Sequence, residues 1–436
     1  MIDLRYGSGS LTFDVPEGSV GEVVRPPSGG DAAGADALLA EAVAAELQTA
    51  QADCAGRRVL VLLADGTRDQ PHRAGYAALA PLLSEAGSVD VLLATGTHSA
   101  DTPDNRCILD DVAQVSAERA IPLASAAAHD CRTAAFFDAG TTAAGSGVRL
   151  NRLVAAAETI FIVSDTKPHY FAGYSNPTKF LLPGVAAFDC IESNHAFALD
   201  PAASHCRHPL HPDRERRRNP VAEEQLEVAR WIAARKPVYA LVTAGAAGQV
   251  NWAAFGPLER AVADGIRFVD VHLVVKLPRR YRRAVISCGG YPDDETLYIA
   301  QRSLELAKEV LAPGAEVVWL AECRNGIASS QQAVDSFFTP LKTDPAAYVE
   351  QVRRAYVMHA HKTVKFVDLM ETLGALHVVS DLPAGTFPAA GIVGCSDPRA
   401  VVARWASGGE KILFVDGANR LALTCGGSER PVARDA

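Results

Sequence analysis

The chain has 436 residues, 48% of them hydrophobic, and a formal net charge of −9 at pH 7. This length exceeds what one hydrophobic core normally serves, so we expect two domains. The acidic balance and the lack of a basic stripe with interleaved aromatic residues argue against nucleic acid as a partner. The dense basic run at residues 214–218 is expected to be a solvated loop.

The sequence also argues against a membrane or secreted protein. No apolar stretch approaches the roughly 20 residues that cross a bilayer. Residues 1–25 lack the basic start and apolar block of a signal peptide. The nine cysteines include no C-x-x-C pair, which disfavours a zinc ribbon and a disulfide framework. We therefore expect a cytoplasmic protein with reduced cysteines.

The first part of the chain alternates segments of strand and helix character. It opens with a short β start and an Ala-rich helix, at residues 11–15, 21–24 and about 36–50. Apolar runs then predict strands at 58–65, 89–96, 159–165 and 238–244, and apolar periodicity predicts helices at 72–86, 103–119 and 220–236. Strands without polar alternation indicate a parallel sheet covered on both faces. Residues 1–270 are therefore predicted to form a doubly wound, Rossmann-like α/β domain.

A second alternation of predicted helices and strands follows. It predicts helices at 297–311, 331–337 and 345–358 and strands at 315–322, 376–380 and 411–416. We assign residues 271–436 to a smaller α/β domain, with its last segment a candidate to return to the first domain.

Polar and titratable residues follow three of the predicted strands. The first strand leads into "ADGTR", with Asp65, Thr67 and Arg68; the second leads into "ATGTH", with His98; the third leads into "SDTKPH", with His169. Ligands bind beyond the carboxyl ends of strands in open parallel sheets, so these residues are expected on one edge. Taken singly, each could be a helix cap, a surface residue or a packing residue.

The segment "GYSNPTK" offers small and hydroxyl residues before a lysine. Gly173, Ser175, Asn176 and Thr178 could cradle a phosphate, with Lys179 closing the loop. The segment is not the P-loop pattern G-x-x-x-x-G-K-[ST], and no strand leads into G-x-G-x-x-G, so the usual NAD fingerprint is missing.

Further histidines raise the question of a metal. His195 in "IESNHAF" is a third candidate ligand beside His98 and His169. A conventional zinc hydrolase is therefore possible, although no zinc-enzyme motif indicates it. A second group, His205, His208 and His211, suits a metal by spacing, but its prolines and the neighbouring basic run favour an exposed loop.

Four motifs in this order resemble the nickel-pincer-nucleotide-dependent lactate racemase family: "DGTR", "ATGTH", "KPHYFAGYSNPTKFLLPG" and "SNHAFALDP". The likeness covers about residues 60–200 and continues more weakly through "GGYPDDETLY", "AECRNGI" and "HK" at 361–362. It implies two α/β domains with the active site in the cleft between them. It also implies a pyridinium-derived mononucleotide that carries nickel.

The resemblance assigns the cofactor to named residues. Lys179 would form the covalent tether, and His195 would supply the remaining nickel ligand. The cradle would comprise Thr67, Gly173, Ser175, Asn176 and Thr178. The enzymes that synthesise this cofactor become indirect partners of the chain.

The resemblance implies that a 2-hydroxy acid is racemised or epimerised. His98 and His169 would be the paired acid and base, Arg68 would hold the substrate carboxylate, and Asp65 would orient its neighbours. Hydride would leave the α-carbon, giving a planar 2-keto acid, and would return to the other face. Two alternatives stay open: a divalent-metal hydrolase or lyase that uses the same histidines, and a non-catalytic nucleotide-binding homologue.

One stretch departs from the family pattern. After the "GGYP" turn, lactate racemases have Tyr-Gln followed three residues later by Lys, whereas this chain has Tyr298, Ile299 and Arg302. Arginine keeps the cation but not the geometry of lysine, and Ile299 makes the pocket more apolar. Tyr298 and Arg302 are predicted to bind a 2-hydroxy acid whose side chain differs from that of lactate.

Overall fold

The computed structural model describes residues 1–27, 34–245, 249–383, 385–387 and 392–426. The chain forms two compact units. The central unit spans Ser28–Val271, and the terminal unit combines Met1–Pro27 with His272–Ala436.

The strands, in chain order, are β1 (Ile2–Tyr6), β2 (Gly9–Phe13), β3 (Val20–Val24), β4 (Arg58–Ala64), β5 (Ser88–Ala94), β6 (Leu123–Ala128), β7 (Phe136–Thr141), β8 (Gly147–Asn151), β9 (Thr159–Asp165), β10 (Lys167–His169), β11 (Gly173–Ser175), β12 (Val238–Ala244), β13 (Trp252–Pro257), β14 (Val274–Leu277), β15 (Tyr281–Ser287), β16 (Leu311–Leu320), β17 (Leu373–Val379), β18 (Ile392–Gly394), β19 (Ile412–Val415) and β20 (Ala422–Cys425).

The helices are α1 (Ala35–Ala44), α2 (Leu47–Cys54), α3 (His72–Ala78), α4 (Ala80–Leu83), α5 (Pro103–Glu118), α6 (Arg152–Ala156), α7 (Thr178–Leu181), α8 (Phe188–Ala196), α9 (Pro220–Ala233), α10 (Leu258–His272), α11 (Leu297–Ala307), α12 (Gln331–Ala333), α13 (Thr339–Lys342), α14 (Pro345–Arg354), α15 (Ala360–Met370) and α16 (Pro398–Ser407).

The central unit is built on a six-stranded sheet in the order β13-β12-β9-β4-β5-β6. All neighbours pair in parallel except β12 and β13, which are antiparallel. The inner strands β4, β5, β9 and β12 are the apolar runs that the sequence indicated, and they are almost entirely buried. A strand covered by helices on both faces has no solvent side, which explains why its residues do not alternate with polar ones.

The terminal unit has its own six-stranded parallel sheet, in the order β18-β17-β16-β15-β19-β3. Trp319 on β16 is the largest fully buried side chain and packs in the main core of this unit. Its indole N–H donates to Ser303 Oγ on α11 at 2.9 Å, so the polar edge of the ring is satisfied. The α/β class predicted from the sequence is confirmed in both units.

The predicted assignment of the chain ends was wrong. Residues 1–27 do not belong with the segment that follows them, because β3 pairs in parallel with β19 of the terminal unit. The last described segment does not return to the first domain either, because β20 pairs with β14. No helix in the described part of the chain is both long and apolar enough to cross a membrane.

Candidate active site

A cavity lies at the carboxyl ends of the central-unit strands. Because Ala64 and Ala94 pair at the ends of β4 and β5, the residues that follow both strands emerge at one edge. The residues around the cavity include six that the sequence singled out: Arg68, His98, Ser175, Asn176, Lys179 and His195. The structure therefore brings the ends of β4 and β5, the turn after β11 and helix α8 to one place.

Asp65 and His98 form a carboxylate–imidazole pair beside this cavity. His98 Nδ1 lies 2.7 Å from Asp65 Oδ2, and Thr67 donates its hydroxyl to Asp65 Oδ1 at 2.8 Å. Burial alone would raise the pKa of Asp65, but the hydrogen bonds from His98 and Thr67 and the charge of Arg68 lower it below its ordinary value. An ionised carboxylate only accepts hydrogen bonds, so Nδ1 of His98 carries the hydrogen.

Asp165 is a site residue that the sequence reasoning missed. It is the last residue of β9, lines the cavity, and bonds Lys167 Nζ at 2.9 Å and Ser175 Oγ at 3.1 Å. Burial alone would raise its pKa, yet the charges of Lys167, Arg68 and Lys179 hold the pKa far below the ordinary value. Its place at the end of the strand, two residues after the apolar run "IFIV" and within "SDTK", was the available signal.

The turn that carries Lys179 is fixed by its own side chains. Asn176 Oδ1 accepts from both the backbone N–H and the hydroxyl of Thr178, at 2.9 and 2.6 Å. Thr178 is fully buried and is not among the cavity-lining residues, so it shapes the turn from beneath. Lys179 follows in the short helix α7, and its backbone carbonyl accepts from Gly184 at 2.8 Å.

His195 reaches the cavity from α8 with a defined ring orientation. Its Nδ1 lies 2.9 Å from the carbonyl oxygen of Ile191, one turn earlier in the helix. A carbonyl oxygen can only accept, so Nδ1 is the protonated nitrogen and Nε2 holds the lone pair. A histidine whose one nitrogen is anchored to the backbone in this way suits metal coordination through the other.

His169 belongs to a two-stranded hairpin, not to the cavity lining. The strands β10 and β11 pair antiparallel, with His169 opposite Gly173. The ring is stacked on Tyr170 and meets Phe171 edge-on, with centroids 5.2 and 4.7 Å apart. Phe171 in turn contacts the ring of His195 at 5.4 Å. An aromatic contact thus links His169 to the cavity.

Gly173 supports the hairpin in a way that no other residue could. Its φ is +78°, and a Cβ atom there would lie 1.8 Å from the backbone oxygen of Arg207. Its carbonyl accepts from the backbone N–H of Cys206 at 3.0 Å. Gly173 therefore packs against the segment at residues 205–211 and not against the cavity, where the sequence reasoning expected a cradle.

A non-glycine residue in the left-handed region costs ~1–3 kcal/mol of backbone strain. We expect Gly173→Ala to lower the free energy of unfolding by more than this, because the clash of the new Cβ with the backbone adds to the strain. Chemical denaturation of the variant measures this loss. Gly145→Ala is the matched control, since Gly145 has φ +88° but open space around the missing Cβ. Equal losses for the two variants would refute the packing role of Gly173.

The expectation of an exposed His205–His208–His211 loop was wrong: all three side chains are buried. His211 Nε2 lies 2.6 Å from Asp270 Oδ2 on α10, and Tyr174 donates its hydroxyl to Asp270 Oδ1 at 2.6 Å. In the described residues, no group of three or more His, Cys, Asp or Glu side chains is arranged to hold a metal ion. This histidine group instead supports the hairpin that carries His169. The basic run at 214–218 is mostly exposed, as expected.

His208 should make the protein sensitive to acid. Burial lowers its pKa from 6.5 to about 3, with the nearby His211 and Arg230 as further causes. Between these values the unfolded chain binds a proton that the folded chain does not, so stability is complete above pH 6.5 and is lost as the pH falls. His208 should make the free energy of unfolding fall by up to ~1.4 kcal/mol for each pH unit below its ordinary pKa. We expect His208→Asn, which keeps an acceptor near the Nδ1 position, to abolish this contribution. Urea denaturation between about pH 5 and 7 tests this; identical pH slopes for both proteins would contradict it.

The predicted substrate residues on α11 lie in the terminal unit. Tyr298 and Arg302 are partly exposed, and the Tyr298 hydroxyl lies 2.9 Å from His359 Nδ1. Lys362 of the "HK" motif is buried, and its ammonium donates to the backbone oxygen of Tyr298 at 2.6 Å. Ile299 is also partly exposed.

Comparison with known proteins agrees with these motifs. The family model for the lactate racemase N-terminal domain matches residues 6–205. A lactate racemase from Thermoanaerobacterium thermosaccharolyticum is 24% identical over 338 residues, which cover 74% of this chain and 75% of that protein. A lactate racemase from Lactiplantibacillus plantarum is 24% identical over 239 residues, or 51% of this chain and 54% of that protein.

Solved structures share the fold. The lactate racemase apoprotein from T. thermosaccharolyticum superposes with a TM-score of 0.80 at 20% identity, covering 97% of this chain and 99% of that one. A protein from Thermotoga maritima superposes with a TM-score of 0.64 at 14% identity, covering 92% of this chain and 100% of that one. At these identities the superpositions establish the fold. Together with the family model and the two sequence relatives, they lead to one conclusion: residues 6–205 match the lactate racemase N-terminal domain, and the chain is similar to lactate racemases in sequence and fold.

Proposed function

We propose that this chain is an isomerase that racemises or epimerises a 2-hydroxy acid. The observation that carries the proposal is the cavity of the central unit, where Arg68, His98, Lys179 and His195 converge. One cavity thus offers a cation for a carboxylate, an imidazole for a hydroxyl proton, an amine for a covalent bond and an imidazole for a metal. The two lactate racemases that are similar in sequence support the same reaction class.

The proton chemistry follows from the ring orientation of His98. With Nδ1–H held by Asp65, the lone pair of Nε2 is available to accept the proton of a substrate hydroxyl. The imidazolium that forms keeps its hydrogen bond to an ionised carboxylate, which stabilises the positive charge. Arg68 would bind the substrate carboxylate, a contact for which a guanidinium is well suited. His169, on its hairpin, is proposed as the second group that exchanges a proton.

The residues around the cavity fit the nickel-pincer nucleotide that the family resemblance implies. Lys179 would hold it covalently, and His195, with its lone pair on Nε2, would ligate the metal. Ser175 and Asn176 line the same wall and offer polar groups to a phosphate. When bound, the nucleotide supplies an acceptor for the hydride that leaves the α-carbon of the substrate. The chain then has to orient the substrate, move the hydroxyl proton and keep the carboxylate fixed.

A divalent-metal hydrolase is a poorer match to the same residues. Such an enzyme needs several protein ligands around one ion, commonly three. Across the described ranges, no group of three or more His, Cys, Asp or Glu side chains is suitably arranged. A single imidazole such as His195 suffices when an organic cofactor provides the other ligands, so this observation favours the pincer nucleotide.

The proposed substrate differs from lactate in its side chain, because Ile299 and Arg302 replace the polar residue and the lysine of the family pattern. The test is a chiral assay of a panel of 2-hydroxy acids with protein produced together with the cofactor-synthesis enzymes and nickel. We expect one member with a more apolar side chain to be racemised faster than lactate, because Ile299 replaces a polar residue of the family pattern. Binding of these acids without conversion of any of them would support the non-catalytic alternative instead.

A further inference from the structure

The two histidines proposed to exchange protons have opposite hydrogen-bond environments. His98 presents its Nδ1 to a carboxylate oxygen at 2.7 Å. His169 presents its Nδ1 to the backbone N–H of Ala172 at 3.2 Å, and this group can only donate. The two rings therefore need opposite neutral tautomers, with hydrogen on Nδ1 in His98 and on Nε2 in His169.

The local chain conformation sets the state of His169. The hairpin turns between His169 and Gly173, and this turn brings the amide of Ala172 back to the imidazole. The hairpin is held in turn by Tyr174, whose hydroxyl donates to Asp270, and by Gly173, which packs on the backbone of Arg207. Because the backbone donor is fixed, protonation of Nδ1 in His169 would require the ring to leave its position.

We infer that the resting chain has unequal acid–base groups: His98 is ready to accept a proton at Nε2, whereas His169 is a neutral Nε2–H donor. This inference rests on the proposed function for its chemical meaning. In this tautomer Nε2 of His169 already carries a hydrogen, so it cannot take the proton of a substrate hydroxyl. It becomes a base only after its bond to Ala172 breaks and the hydrogen moves to Nδ1. The resting chain is thus prepared for the enantiomer whose hydroxyl faces His98.

A kinetic consequence follows from the equal free energies of two enantiomers in water. Their kcat/KM values must be equal, because the equilibrium constant of a racemisation is one. The productive complex in which the hydroxyl faces His169 carries the broken hydrogen bond, so its free energy is higher than that of the other complex. Because both complexes lead to the same transition state, the barrier from the less stable complex is smaller by the same amount. KM and kcat for that enantiomer should both be larger, by about fivefold for one ordinary hydrogen bond.

The direct test is a multiple-bond ¹H–¹⁵N correlation spectrum of protein labelled with ¹⁵N-histidine, recorded near pH 8, where an ordinary imidazole is neutral. Single His→Gln variants at 98, 169 and 195 assign the signals. We expect the Nδ1–H pattern for His98 and His195 and the Nε2–H pattern for His169. His129 is an internal reference, since its Nε2 lies 2.9 Å from the carbonyl of Ala186 and its Nδ1 accepts from Asn151.

An Nδ1–H pattern for His169 would overturn the inference, whether or not the protein is active. Steady-state kinetics of the cofactor-loaded enzyme with each pure enantiomer give the second readout. KM values that differ by about fivefold with equal kcat/KM support the inference, and equal KM values overturn it. If the cofactor-loaded protein converts no 2-hydroxy acid but has the expected spectrum, the proposed function is refuted and the inferred tautomers are still supported.

Discussion

Replacing Lys179 with alanine should abolish racemisation and the covalent attachment of the cofactor together. Lys179 lines the central-unit cavity with His195, and it offers the primary amine that the proposed covalent bond to the cofactor requires. Without the tether, we expect activity to fall to the background rate and the intact mass to equal that of the bare polypeptide. The measurement pairs a chiral assay with intact-protein mass spectrometry on protein made with the cofactor-synthesis enzymes.

Two further variants separate the amine from its charge. Lys179→Arg keeps a cation near Asp165 but cannot form the bond, so it should be as inactive as the alanine variant. Lys411→Ala changes an exposed lysine in the terminal unit and should keep both the mass increment and the activity. Full activity in Lys179→Arg, or a mass increment that persists in Lys179→Ala, would disprove the tether.

The second large effect is expected from Asp65→Asn. Because Thr67 donates its hydroxyl to one oxygen of Asp65, the amide oxygen of the new side chain should take that position. The amide N–H then faces His98 and donates to Nδ1, which drives the hydrogen of the ring to Nε2. His98 can no longer accept a proton from substrate, and we expect kcat to fall roughly 10³- to 10⁴-fold, as for the carboxylate-to-amide change in a serine-protease triad.

The fold should survive this change, since aspartate and asparagine have nearly the same shape. Circular dichroism and the mass increment on Lys179 should therefore match those of the unmodified protein. Asp110→Asn, an exposed change on α5, serves as the control with unaltered kcat. A loss of less than tenfold in Asp65→Asn would mean that the tautomer of His98 does not control the reaction.

The sequence predicted the central sheet well because its signal is local. Strands β4, β5, β9 and β12 are continuous apolar runs, and a parallel sheet sends the ends of such strands to one edge. That rule alone placed His98 and Arg68 near each other. The positions of Lys179 and His195 on the same cavity came from the family resemblance and not from periodicity.

The errors arose where long-range pairing decides the structure. Nothing in residues 20–24 indicates that β3 joins β19, nearly four hundred residues later in the chain. The histidines at 205–211 looked exposed because prolines and arginines surround them, but all three are buried, and His211 contacts Asp270, which also accepts from Tyr174. Thr178 and Gly173 stay predicted cradle residues, and their contacts show in addition that they shape the turn and the hairpin, which residue type alone did not indicate.

Asp165 was missed because an acidic residue at a strand end has a common structural explanation as a helix cap. Its contacts with Lys167 and Ser175, and the lowering of its pKa by the charge of Lys179, appear only in three dimensions. This carboxylate belongs to the cavity as closely as the residues that the motifs identified.

One measurement tests the central claim most directly: a single enantiomer of a C2-deuterated 2-hydroxy acid is incubated with the cofactor-loaded protein in ordinary water. Chiral chromatography with mass detection then follows the second enantiomer and its label. The proposed function predicts that the second enantiomer forms with its deuterium retained, because hydride leaves and returns without exchange. Formation of a product that has lost its deuterium to water, or no conversion of any acid tested, would contradict it.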